Sequence, residues 1–101
     1  MAKTSAVERN NKRRVMADRA RKKRETLRAL VHNRALSLEE RMDATRKLSE
    51  LPRNGAHIRV RNRCAFSGRP RGYYRKFNLS RIALREFGSQ GLIPGLVKSS
   101  W

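Results

Sequence analysis

From Leu51 to Arg85 the chain carries ten basic residues and not one carboxylate. No internal packing can neutralise such a stretch, so it must order against a polyanion or remain open. The whole chain repeats the imbalance. Twenty-six Lys and Arg face eight Asp and Glu, for a net charge of +18 and an isoelectric point near 11.8. Only 38% of the 101 residues are apolar and six are aromatic. A chain so composed buries too little surface for a large core, and small domains of this kind lean on a metal, disulfides or a partner. A single cysteine forms no internal disulfide, and its presence as a thiol fits a reducing compartment. A partner is therefore the expected source of order, with nucleic acid the first candidate. No apolar run approaches the ~18 residues that read as a membrane span. The start MAKTSAVERNNK lacks the apolar core of a secretory signal. The expectation is a soluble intracellular protein, and a basic, acid-poor start alone does not exclude organelle import.

Charge divides the chain into three parts. Residues 1–30 hold eleven basic and three acidic residues, residues 31–52 four of each, and residues 53–101 eleven basic and one acidic. The first part reads as a helix from Ala6 to His32, with Met16, Ala20, Leu27, Leu30 and Val31 on one narrow stripe. Its cations, Arg19, Arg21, Lys22, Lys23, Arg24 and Arg28 among them, wrap the circumference, and like charges three and four apart oppose an isolated helix. Such a helix is expected to order where phosphates surround it. In the second part Ser37-Leu-Glu-Glu40 is a capping box. It opens a neutral helix that Pro52 stops, with Leu38, Met42, Thr45 and Leu48 on one face and an Asp43–Lys47 pair on another. This helix is expected to fold back on the Leu27–Val31 stripe as a hairpin, with an outer face suited to protein rather than RNA.

The third part begins as loop. Asn54-Gly55 and Arg69-Pro70-Arg71-Gly72 are turn signals, and residues 59–63 alternate as a short extended segment would. Ser80 is placed to cap a short helix from Arg81 to Phe87, closed by Gly88. Arg81 and Arg85 share one face of that helix, and Ala83 and Phe87 the other. The expected architecture is mainly α with irregular extended segments. A basic helical arm and hairpin occupies residues 1–52. An arginine-rich, metal-free, degenerate zinc-ribbon-like module with one short helix occupies residues 53–101.

The ribbon reading comes from spacing. Cys64 and Ser67 stand like a C-x-x-C half-site, and Ser80 and Ala83 repeat it. A structural zinc needs four thiolate or imidazole ligands. One is present, and His32 and His57 lie outside the frame, so no metal or other cofactor is expected. Cys64 is then a small, semi-buried residue. Packing of Leu79, Ile82 and Phe87, with hydrogen bonds from Ser67 and Ser80, must do what a metal would have done. Catalysis is equally unsupported. Cys64 and His57 have no orienting third group, and the glycines at 68 and 72 do not space as a phosphate loop. By contrast, Arg69, Arg71, Arg75, Lys76, Arg81 and Arg85 interleave with Tyr73, Tyr74 and Phe77. Cations neutralise phosphates and rings give unstacked bases a platform. Phe77 and one tyrosine are expected inside and the other tyrosine on RNA. Lys98 and Trp101 add a cation and a ring near the end. No heptad or helix-turn-helix spacing speaks for duplex DNA, although a basic nucleoid-type or regulatory DNA-binding protein is the alternative that the charge allows.

The runs RNRC (Arg61–Cys64), GRPRGYYRKF (Gly68–Phe77), LSRI (Leu79–Ile82) and IPGLVKSSW (Ile93–Trp101) closely resemble the small-subunit ribosomal protein fourteen family. The likeness extends over the full length, and the vacated cysteine positions resemble the family's long, zinc-free bacterial form. The resemblance implies a non-enzymatic structural protein of the small-subunit head. Such a protein binds the 3′ major domain of the small-subunit ribosomal RNA, supports subunit assembly and shapes RNA near the aminoacyl-tRNA site. It implies contacts with small-subunit proteins three and ten and others of the head, a cytoplasmic or organellar ribosomal location, and no homo-oligomer, membrane or small-molecule substrate. It puts Arg59, Arg61, Arg63, Arg69, Arg71, Arg75, Lys76, Arg81 and Arg85 on RNA, to which the pattern of rings and cations adds Tyr73, Lys98 and Trp101. From the threading N-terminal helix it adds Arg13, Arg21, Lys22 and Arg24.

Overall fold

The computed structural model describes residues 1–99, which leaves Trp101 outside the described residues. Three helices, one small sheet and connecting turns make up the chain: α1 (Thr4–His32), α2 (Leu38–Glu50), β1 (Tyr73–Tyr74), β2 (Leu79–Ser80) and α3 (Arg81–Ser89). Short 3₁₀ turns at Arg53–Gly55 and His57–Arg59 follow α2. The chain forms two compact units. One is Arg9–Val60, and the other joins Met1–Glu8 to the chain from Arg61 on.

In the Arg9–Val60 unit, α1 begins two residues before the sequence expectation and ends where expected. Its covered face is shifted. Asn10, Ala17 and Leu27 are buried, whereas Met16 and Leu30 are exposed. The buried and half-buried positions run 10, 13, 17, 20, 24, 27 and 31, alternating steps of three and four. Hydropathy alone misses this seam because Arg13 and Arg24 occupy it. Arginine lays its apolar stem along a covered face and carries its head to a polar partner. Arg13 Nε donates to Asn54 Oδ1 at 3.2 Å, and Arg24 Nη2 to the Pro52 carbonyl at 2.8 Å. Gly55 lies against the same face, where an added Cβ would stand 3.4 Å from Ala20 Cβ.

Both arms of the capping box form. The Ser37 amide donates to Glu40 Oε2 at 3.2 Å, and the Glu40 amide to Ser37 Oγ at 3.3 Å. The covered side of α2, however, is Arg41, Ala44 and Leu48, while Leu38 and Met42 stay exposed. The end of α1 explains the rotation. The last carbonyls of a helix lack intrahelical donors. The Asn33 amide serves those of Ala29 and Leu30, and Arg41 Nε reaches that of Val31 at 3.0 Å. That bond turns the Arg41 side of α2 inward. Asp43 pairs with Arg46 rather than with Lys47.

In the other unit the chain from Cys64 to Arg69 is a tight knuckle. The Cys64 amide donates to the Arg69 carbonyl at 3.0 Å, and the Gly68 amide to the Cys64 carbonyl at 2.9 Å. The hairpin β1–β2 is antiparallel, with Tyr73 opposite Ser80 and Tyr74 opposite Leu79. The sequence reading had no hairpin here. Asn78 closes its turn at φ 55°, a left-handed conformation that asparagine tolerates better than most residues. The Ala65 amide donates to the Asn78 carbonyl at 2.9 Å, tying knuckle to hairpin. Ser80 then caps α3, its Oγ accepting from the Ala83 amide at 3.3 Å. The helix does not stop at Gly88 as expected. It runs to Ser89 and ends in a Schellman motif, with the Leu92 amide donating to the Phe87 carbonyl and the Gly91 amide to that of Gly88.

The N-terminal residues complete this unit. The Ala2 amide donates to the Ser67 carbonyl at 3.0 Å. Gly68, at φ +70°, leaves room where a Cβ would lie 2.9 Å from Val7 Cγ2 and 3.2 Å from Ala2 Cβ. Gly68→Ala is therefore expected to destabilise by about 2–4 kcal/mol, combining left-handed strain with overpacking. Adding Val7→Ala should recover the packing part and leave the conformational part. Urea unfolding followed by circular dichroism of the two variants checks both statements.

Candidate nucleic-acid interface

The centre of the C-terminal unit is built from Cys64, Ser67, Ser80 and Ala83. Cys64 is 3% exposed, and Ser80 and Ala83 are equally buried, with Ser67 half-buried beside them. The Ser67 amide stands 3.5 Å from Cys64 Sγ. Burial alone would raise the thiol pKa. The hydroxyl and amide of Ser67 and the amides of Ser80 and Phe66 outweigh it, lowering the value to about 6. The Ala65 amide bond to the Asn78 carbonyl and the Ser80 cap on α3 hold knuckle, hairpin and helix together. Phe66 and Phe87 close one flank, edge to face with centroids 5.0 Å apart. Of the apolar residues expected to replace the metal, Leu79 and Phe87 are half-buried, but Ile82 points outward at 52% exposure. No group of three His, Cys, Asp or Glu lies close enough to share a metal ion among the described residues.

Around this centre the cations fall into two kinds. Arg63 and Arg69 are half-buried and bind backbone: Arg63 Nη1 donates to the Gly68 carbonyl at 2.9 Å, and Arg69 Nε to the Arg71 carbonyl at 3.2 Å. Arg71, Arg75, Lys76, Arg81, Arg85 and Lys98 are exposed. Lys76 Nζ sits 5.7 Å from the centre of the Phe77 ring. Arg81 lays its stem across Gly72, whose absent side chain leaves Cγ and Cδ of Arg81 room at 3.2 Å from the Cβ position. Its guanidinium is thereby aimed by a backbone that its own amide also holds, through a 2.6 Å bond to the Gly72 carbonyl. As the sequence reading had it, Arg81 and Arg85 are on the open side of α3 and Ala83 on the closed side.

The tyrosines separate. Tyr73 is half-buried and its hydroxyl donates to Asn78 Oδ1 at 2.6 Å, while Tyr74 is 50% exposed. The sequence reading placed Tyr73 on RNA; the ring that faces solvent is that of Tyr74. Adjacent strand residues point to opposite faces, so only one of the pair is free, and the signal for which one was the Asn78 turn. In the Arg9–Val60 unit Lys22 is exposed, Arg21 is paired with Glu25 at 3.1 Å, Arg13 and Arg24 bind the 52–54 turn, and Arg59 is half-buried. Arg61, from which the C-terminal unit starts, is exposed.

Residues 47–100 match the profile of the family described as ribosomal protein S14p/S29e. Over all 101 residues, and the full length of each relative, the chain is similar to proteins named small ribosomal subunit protein uS14. Identity is 62% with that of Chelativorans sp. (strain BNC1), 61% with that of Brucella ovis and 59% with that of Xanthobacter autotrophicus. The chain belongs to the ribosomal protein S14 family. Members of the S14 family are structural rather than catalytic.

A folded-state thiol pKa below its unfolded value of ~8.5 means that the native state favours the thiolate. The resulting stabilisation is fully present above the unfolded value and is lost as pH falls through about 6. The unfolding free energy of the native sequence relative to Cys64→Ser should therefore rise from pH 5.5 to pH 8.5. Urea titrations at three pH values measure it; a flat difference would show that the sulfur stays protonated.

Proposed function

We propose that this chain is a structural constituent of the small ribosomal subunit that binds small-subunit ribosomal RNA in the 3′ major domain of the head. In this reading it supports subunit assembly, shapes RNA near the aminoacyl-tRNA site, and has proteins three and ten as neighbours, in the cytoplasmic ribosome. The observation that carries the reading is unbroken similarity across all 101 residues to proteins named small ribosomal subunit protein uS14. The distribution of cations supports it. Exposed Arg71, Arg75, Lys76, Arg81, Arg85 and Lys98 are held on a frame of tight turns. Residues 53–101 act as the RNA-binding module and residues 1–52 as an arm whose basic helix threads between RNA and protein.

The frame itself is read as a zinc-ribbon-like form that works without zinc or any other cofactor. The amide and hydroxyl bonds around Cys64, and the Ser80 cap, take the place of metal bonds. The arginines act by displacing counterions from phosphates and by fixing the bend of the RNA. Arg13 and Arg24 contribute through donors not already given to the 52–54 turn. The half-buried Arg63 and Arg69 brace the knuckle while presenting the rest of their guanidinium edges.

Purified protein should co-sediment with small subunits through a moderate salt wash. If about ten phosphates are neutralised, log affinity for structured small-subunit RNA should fall against log salt with a slope near −7, at ~0.7 per contact. Arg71→Ala or Arg75→Ala should weaken incorporation into subunits more than Cys64→Ser, because exposed cations carry the contact and serine keeps an acceptor at position 64. A slope near zero would overturn the electrostatic account, and equal affinity for duplex DNA at 150–200 mM salt (about the range where weak ionic contacts are screened) would point to the nucleoid-type alternative.

A further inference from the structure

The tail of the chain folds against α3. Gly95, at φ +76°, turns the chain, and the Leu96 amide reaches the Ile93 carbonyl at 3.4 Å. Leu96 Cδ2 then lies 2.8 Å from where a Cβ on Gly88 would be. This contact explains why a glycine sits inside α3, where helix propensity disfavours it. Between the tail, α3 and the hairpin a cleft of about 320 Å³ opens, with Tyr74, Leu84 and Leu96 among its walls and Arg81, Arg85 and Lys98 at its edges. A second cleft shares Tyr74, Arg81 and Arg85 and adds Glu86. The volume is at the lower end of small-molecule sites, ~300–1,000 Å³, which suits one base with its sugar.

We propose that this cleft is a single-nucleotide pocket for RNA. An unstacked base lies against the Tyr74 ring over Leu84 and Leu96, and its flanking phosphates lie across Arg81, Arg85 and Lys98. The proposal rests on the RNA-binding reading above and names where one base leaves the stack. The chemistry of the walls selects this occupant. An apolar protein side chain would cover Leu84 and Leu96 but leave three cations facing it. A phosphate alone would meet the cations and leave the apolar wall wet. A nucleotide has both a flat π-face and anionic ends, and aromatic rings beside arginines are the usual platform for it. Glu86 in the adjoining cleft repels phosphate and steers the backbone toward Lys98. The ring available is that of Tyr74, because the Tyr73 hydroxyl is engaged with Asn78.

The test compares a single-stranded hexa-adenylate RNA with an abasic hexamer of the same phosphate number, on the full chain. Stacking of one base predicts about 5- to 100-fold tighter binding of the RNA. Tyr74→Leu, which keeps an apolar group on the hairpin, should bring that ratio toward one without changing the affinity for the abasic strand. Tyr74→Phe should preserve it. The methyl resonances of Leu84 and Leu96 should move with the RNA and not with the abasic strand. Equal, salt-sensitive binding of both strands, silent Leu84 and Leu96 methyls, or an unchanged ratio in Tyr74→Leu overturns the pocket while leaving the RNA-binding reading standing. Salt-insensitive binding of both strands overturns that reading and the pocket with it.

Discussion

The close packing of Cys64 against Ser67, Ser80 and Ala83 is the constraint on which the C-terminal unit depends. A buried sulfur without partners would be a small apolar residue. Here it accepts from the Ser67 amide at 3.5 Å, and polar groups of Ser67, Ser80 and Phe66 lower its pKa to about 6. These groups come from residues up to sixteen apart in sequence, Cys64 to Ser80. Ser80 is the second half of the node. It is 1% exposed, ends β2, and caps α3 through its hydroxyl. Knuckle, hairpin and helix are thus joined at one point with very little apolar core, which is what a chain so poor in aromatics can supply.

A second constraint is how the chain lives with its own charge. Self-repulsion among 26 cations opposes compactness, and the structure turns several of them inward as hydrogen-bond donors. Arg41 serves the Val31 carbonyl, Arg24 that of Pro52, and Arg63 that of Gly68. Arginine suits the task because its apolar stem covers neighbouring surface and its fork carries five donors. Arg71, Arg75, Lys76, Arg81 and Arg85 stay exposed on the surface. In the proposed function it is these that meet phosphate.

The legible elements were those with a local cause. The capping box at Ser37, the Ser80 cap, the turn at Asn54-Gly55 and the opposition of Arg81 and Arg85 to Ala83 each depend on residues within one turn of one another. Readings that required a partner element were displaced. Met16 and Leu30 were assigned to a packed stripe that in fact runs through Ala17 and two arginines, because hydropathy assigns arginine to solvent. Leu38 and Met42 were assigned inward, but the unsatisfied carbonyl at the end of α1 draws the Arg41 side of α2 in. Gly88 read as a stop, and the reason for it lies eight residues away in Leu96. The hairpin escaped notice because its strands are two residues each, too short for alternation to register, and its one clue was the left-handed Asn78.

Charge, the single cysteine and the arginine-rich runs by themselves determined that this chain answers to a polyanion, and short-range capping chemistry determined where two of its helices begin. Composition and spacing suffice for that, because both act without reference to distant residues. Which cations serve the fold and which face outward was decided only by tertiary structure. So were the choice of Tyr74 over Tyr73 as the open ring and the cleft that Leu96 walls. Each depends on where a backbone carbonyl, a missing Cβ or an opposing strand arrives in space, and a linear pattern does not encode those arrivals.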